Sequence, residues 1–145
     1  MAITKISGRQ EVISARADFG FADLTTGVAV PAIDLPDGAR IHRVLLKVTE
    51  AFNSVTSDAL TVQSNESTPK TYIVITAASG SLAAGKAWSA DPVIAGTASS
   101  NILFTNPVAS TIDIKWATVG GVPTTGKATL IVEYTRTGRA DFSQG

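Results

Sequence analysis

Thr111-Ile112-Asp113-Ile114-Lys115-Trp116-Ala117-Thr118 alternates apolar and polar side chains without a slip. A period of two puts Ile112, Ile114 and Trp116 on one face of an extended chain and Asp113 and Lys115 on the other, which is the pattern of a strand with one side in a core. Beyond Gly120-Gly121-Val122-Pro123 the pattern returns over 127–136, with Ala128, Leu130, Val132 and Tyr134 inward and Lys127, Thr129, Glu133 and Thr135 mostly outward. Strands of this kind must bury their apolar face against another layer, so the fold turns on whether the rest of the chain supplies one.

The flanking sequence does. From Glu11 onward Ile13, Ala15, Ala17, Phe19 and Phe21 alternate with Ser14, Arg16 and Asp18. A second strand reads over 27–34, and Pro31 within it predicts an edge position or a bulge, because proline cannot donate to a ladder. Leu35-Pro36-Asp37-Gly38 predicts a turn with proline at its first central position. A long strand over 40–52 places Val44, Leu46, Val48 and Phe52 on one face, with Glu50 interrupting near its end; Ile41 and Leu45 fall on the other, which predicts cover on both sides. Shorter strands read over 59–63 and over 71–76, the latter carrying Tyr72-Ile73-Val74-Ile75. The Ala-, Gly- and Ser-rich stretch 77–98, with Trp88 and Asp91-Pro92 embedded, reads as a long loop with room for a short strand or helix. A further strand is expected over 101–105, ended by Asn106-Pro107.

No helical period of apolar residues spans a dozen positions. The expectation is an all-β chain, an antiparallel β-sandwich whose eight strands match the count of a jelly roll. Residues 1–10 and 137–145 lie outside the alternation, so the organisation reads as an N-terminal arm (1–10), a β-sandwich domain (11–136) and a C-terminal arm (137–145).

Composition narrows the function. A chain of 145 residues buries roughly two-thirds of its unfolded surface in one core. With 44% hydrophobic and 17% charged residues it does not have the make-up of a disordered chain. Lys plus Arg equals Asp plus Glu at 12 each, so no global field draws a phosphate backbone or an anionic bilayer, and neither nucleic acid nor membrane is expected as a partner. The absence of cysteine excludes disulfides, a thiolate zinc site and a cysteine nucleophile. Met1 to Gln10 lacks the apolar run of a signal peptide, and no later stretch approaches the ~20 apolar residues of a span, so neither export by that route nor insertion is expected. The sequon Asn65-Glu66-Ser67 is read as chance.

The chemical motifs are weak. Gly121-Val122-Pro123-Thr124-Thr125-Gly126-Lys127 matches the start of a phosphate-binding P-loop, but Ala128 stands where a magnesium-holding hydroxyl is needed and a strand follows where a helix is needed. A hairpin loop is the expected alternative. His42 is the only histidine, which leaves no triad to name. The carboxylates Asp18, Asp34, Glu50, Asp58, Asp113 and Glu133 are scattered. Trp116 reads as core, leaving Trp88 as the tryptophan available as a contact platform. Arg16-Ala17-Asp18-Phe19 recurs as Arg139-Ala140-Asp141-Phe142, a match that chance produces easily. No catalytic, cofactor-binding or metal-ligating residue is assigned, and an enzyme is not expected.

Met1-Ala2-Ile3-Thr4-Lys5-Ile6-Ser7-Gly8-Arg9-Gln10-Glu11-Val12, Phe19-Gly20-Phe21-Ala22-Asp23, Ala32-Ile33-Asp34-Leu35-Pro36 and Gly138-Arg139-Ala140-Asp141-Phe142-Ser143-Gln144-Gly145 resemble small capsid decoration, or cement, proteins of tailed bacteriophages. The resemblance implies a jelly-roll-like domain on the outer capsid surface of the virion, made in the host cytoplasm, that bridges major capsid protein subunits and reinforces the shell. The arms carry Ile3, Ile6, Arg9, Arg139 and Phe142, side chains suited to docking on the capsid lattice or on a second copy, with a dimer expected before a trimer. Two other classes stand beside it: a phage tail, baseplate or carbohydrate-binding β-sandwich module, and a hydrolase on the same scaffold. A sugar binder requires clustered exposed aromatics and a hydrolase a cleft of convergent titratable groups; a cement protein requires neither.

Overall fold

The computed structural model describes residues 12–53, 57–78, 82–90, 109–121 and 123–136. Period-two alternation becomes strands wherever it was clean: β1 (Ile13–Gly20), β2 (Ala29–Leu35), β3 (Ala39–Glu50), β4 (Ser57–Ser64), β5 (Thr71–Ala78), β6 (Ala87–Ala90), β7 (Ser110–Val119) and β8 (Lys127–Arg136). They form two four-stranded sheets, ordered β1-β8-β3-β6 and β2-β7-β4-β5. The pairings β1 with β8, β2 with β7, β3 with β6 and β4 with β5 are nested and antiparallel, as if the chain were one long hairpin. Successive pairs fall into opposite sheets, and β3–β8 and β4–β7 ladders complete them. That wrapping of two Greek keys is a jelly roll.

The core lies between the sheets. Val44, Leu46 and Val48 of β3 and Leu130 and Val132 of β8 meet Leu60 and Val62 of β4 and Ile112, Ile114 and Trp116 of β7, all at 1% exposure or less. Leu46 is fully enclosed, so Leu46→Ala leaves a void its neighbours cannot fill and is expected to cost ~2–5 kcal/mol. Urea unfolding monitors this, and a loss within error would place Leu46 outside the core.

Four expectations are corrected in detail. Phe21 does not extend β1; it opens a 3₁₀ turn, Phe21–Asp23, and is only half-buried. Ile41 does not face away from Val44: the β3–β8 register slips between Ile41 and Arg43, leaving His42 as the extra residue, so both point into the core. Leu45 alone of that pair is on the outer face, opposite Ile131 and near exposed Arg43 and Lys47, so β3 is covered on one side among the described residues. The turn before β3 is shifted by one residue, since Ala39 N–H donates to Pro36 O (3.3 Å) and Gly38 takes φ +71° as the second central residue.

Pro31 satisfies both readings at once, lying on edge strand β2 with a register slip before Ile33. The stretch 77–98 holds β6, whose Trp88 pairs with Leu46 of β3. The strand expected over 101–105 lies outside the described residues.

Candidate functional site

The arm residues Ile3, Ile6, Arg9, Arg139 and Phe142 lie outside the described residues, as does the second Arg-Ala-Asp-Phe copy. What the structure assembles instead is a corner where β1 ends. Gly20 N–H donates to Asp23 Oδ2 (2.8 Å), Leu24 N–H to Phe21 O (3.3 Å) and Phe21 N–H to Gly126 O (3.0 Å), so the 3₁₀ turn is tied to the start of β8. The chain's bend there opens a recess of about 510 Å³ walled by Arg16, Asp18, Phe19, Phe21, Lys127 and Thr129 among others. A smaller one of about 230 Å³ lies between Phe19, Leu24, Val30, Ala32 and Ile114.

The charges of this corner pair with one another. Arg16 donates from Nε and Nη2 to Asp18 Oδ1 (3.1 and 3.0 Å), and Thr129 Oγ1 donates to the same oxygen (2.5 Å). The Thr129 hydroxyl first and the Arg16 guanidinium second hold the Asp18 carboxyl below its ordinary 3.8. That depressed value favours the fold at pH above 3.8, and the contribution fades as pH falls through the lower folded value. Lys127 Nζ meets Glu50 Oε2 (3.2 Å). Pairs this exposed are screened by solvent, so they shape the surface more than they hold the fold.

The P-loop resemblance dissolves in the geometry. Thr124 and Thr125 N–H groups, which would face a phosphate, both donate to Asn53 Oδ1 (2.8 and 3.0 Å), and Asn53 Nδ2 donates to Thr124 Oγ1 (2.9 Å). Lys127 begins strand β8, and the loop crosses from β7 in one sheet to β8 in the other, so it is not the hairpin expected.

His42 Nε2 shares a hydrogen bond with Thr135 Oγ1 (2.8 Å), and Asp113 accepts from Thr111 Oγ1 (2.6 Å). Trp88 is half-buried against the core, which corrects its reading as a platform. The large apolar side chains that are exposed among the described residues are valines: Val12, Val28, Val74 and Val119. No group of three or more His, Asp or Glu side chains among those residues is placed to hold a metal.

On β5, burial chiefly, with Glu66 second, pushes the Tyr72 phenol from 10.0 up to about 12. A raised value means the neutral form is favoured in the fold, so the contribution is complete below pH 10 and is lost as pH rises toward about 12. Stability is therefore expected to fall across that window in the native chain and much less in Tyr72→Phe; equal slopes in alkaline denaturation would refute the assignment.

The recess escaped the sequence because Asp18 and Thr129 are 111 positions apart. The one local hint was Phe19-Gly20-Phe21-Ala22-Asp23, where alternation stops and an aspartate follows a glycine at the spacing of a cap.

Fold and surface thus define an eight-stranded jelly roll with ion pairs among its surface side chains. No protein-family model matches the chain, and no curated protein matches it in sequence. Solved structures do. The chain is similar to one in the capsid asymmetric unit of cyanophage Pam1, with TM-score 0.64 and 18% identity over 94% of this chain and 91% of that one. It is also similar to a chain of the acid-stable capsid of Helicobacter pylori bacteriophage KHP30 (TM-score 0.58, 17% identity, 88% and 93% covered). A third likeness is to a chain of the capsid of Ralstonia phage GP4 (TM-score 0.52, 18% identity, 94% and 90% covered). At these identities the likeness establishes the fold.

Proposed function

We propose that this protein is a structural component of a phage virion, a non-enzyme that sits on the outer capsid surface and stabilises it by bridging major capsid protein subunits. The observation that carries the reading is a jelly roll matched end to end: about nine-tenths of this chain and of each capsid chain align, so the likeness is to a whole small capsid component and not to one domain of a larger protein. A chain of zero net charge with ion pairs on its surface suits many modest contacts that lattice symmetry multiplies. Ile3, Ile6, Arg9, Arg139 and Phe142 are proposed as capsid or self-association contacts.

The test is to add the purified chain to heads that lack it, measure co-sedimentation and stoichiometry, and follow DNA release on heating. Saturable binding at a number set by lattice symmetry, with release moved to higher temperature, is the expected result. Binding to tails and not heads would establish the tail or baseplate reading, and binding to neither would overturn both. Removing residues 1–9 is expected to weaken head binding at least tenfold while the melting curve stays put; unfolding would instead assign the arm to the core.

A further inference from the structure

An exposed sheet edge is a row of unpaired N–H and C=O groups, and proteins guard such edges with proline, bulges or brevity. Three of the four edges here are guarded in these ways. β2 carries Pro31 and a register slip, β6 has four residues, and β5 is broken where Tyr72 has no partner between Thr71 and Ile73. β1 has none of these devices: its eight residues pair with β8 without a slip, it contains no proline, and no described strand pairs with its other side. What it carries is Arg16 and Asp18, both more than 60% exposed, on the outer face.

We propose that two copies of this chain join along β1, antiparallel about a two-fold axis at Ala17, into one continuous eight-stranded sheet. Hydrogen-bond direction and charge select that register. Phe21 N–H points to Gly126 at the start of β8, while Gly20 N–H is turned away to Asp23. Alternation then aims the backbone groups of Ser14, Arg16 and Asp18 away from β8 and those of Ala15, Ala17 and Phe19 toward it. Two copies can pair only outward residue to outward residue, so the axis passes through a residue and not between two. An axis at Arg16 sets Arg16 against itself, and one at Asp18 sets Asp18 against itself. An axis at Ala17 sets Arg16 opposite Asp18 of the second copy, twice by symmetry.

In this register Ala17 meets Ala17 on the inner face and half-buried Phe19 meets Ala15, small against large. Every contact that Asp18 makes among the described residues falls on Oδ1, so its other carboxylate oxygen is placed for the second copy's guanidinium. The ladder stops where Gly20 N–H is already taken by Asp23. Such an isologous contact closes after two copies. It stands independently of the capsid reading, since it is made in solution.

Charge exchange in the full-length chain tests it by sedimentation velocity over a concentration series. Arg16→Asp and Asp18→Arg each turn two attractive pairs into two repulsive ones and are expected to weaken the dimer at least about tenfold. The double variant Arg16→Asp/Asp18→Arg is again self-complementary and is expected to return to within about threefold of the native value. Arg16→Pro removes an outward N–H without touching the β8 ladder, so it should keep the melting transition and lose the dimer. Amides of Arg16 and Asp18 should gain exchange protection as concentration rises. A native chain that stays monomeric throughout, or an Arg16→Pro chain that dimerises normally, overturns the proposal. So does a double variant that fails to recover, the result expected if the Arg139–Phe142 segment of another copy were the true occupant, because its charges would remain unexchanged.

Discussion

Gly126→Ala is expected to destabilise the fold by about 2–6 kcal/mol, from backbone strain and overpacking together. Gly126 has φ +143°, in the half of conformational space that side chains disfavour. A Cβ there would overlap the ring of Phe52, reaching Cγ at 2.6 Å. Phe52 has no room to retreat, being 5% exposed with its ring tilted 55° against Trp116 at 6.4 Å. Gly85 separates the two effects: it has φ +85° but nothing within 4 Å of its would-be Cβ, so Gly85→Ala carries strain alone, about 1 kcal/mol. If the two variants lose equal stability in chemical denaturation, the clash with Phe52 is not real. Loss of the excess in a Phe52→Ala background would assign it to that ring.

The same glycine shows where sequence reasoning succeeds and stops. It was visible as part of Gly121 to Lys127, and the missing hydroxyl and helix were enough to set a nucleotide aside. Its actual reason for being glycine, a ring delivered from Phe52, depends on a crossing between sheets that no local pattern records. Strands β7 and β8 were legible because polar and apolar side chains alternate in each, although Asp113, Thr129 and Thr135 of the polar faces are buried, and the bounds of β8 agree with the reading. β6 was not, since four residues set among alanine, glycine and serine are too few to display a period. Ile41 was assigned to the wrong face because one extra residue, His42, inverts the phase of everything before it. The corner recess was beyond reach for a related reason: its walls come mostly from opposite ends of the chain, which the β1–β8 ladder brings together.

Trp116→Ala is expected to cost about 3–5 kcal/mol, at the upper end of core truncations. The indole is 1% exposed, on the central strand pair β4–β7 with Leu60 as its ladder partner, and its backbone oxygen also accepts from Gly27 N–H (2.7 Å). Truncation removes the largest fully buried side chain and leaves Phe52 without its tilted neighbour. Trp116→Phe, which keeps an aromatic in the same place, should lose markedly less. The two large effects are also linked. Removing the indole gives Phe52 space to move off Gly126, so Gly126→Ala should cost less in the Trp116→Ala background than in the native chain. Equilibrium unfolding of the four proteins measures the coupling. Simple additivity would mean that Gly126, Phe52 and Trp116 do not pack as one stack, and a Trp116→Ala loss below about 1 kcal/mol would mean that the two sheets are not held apart by this indole.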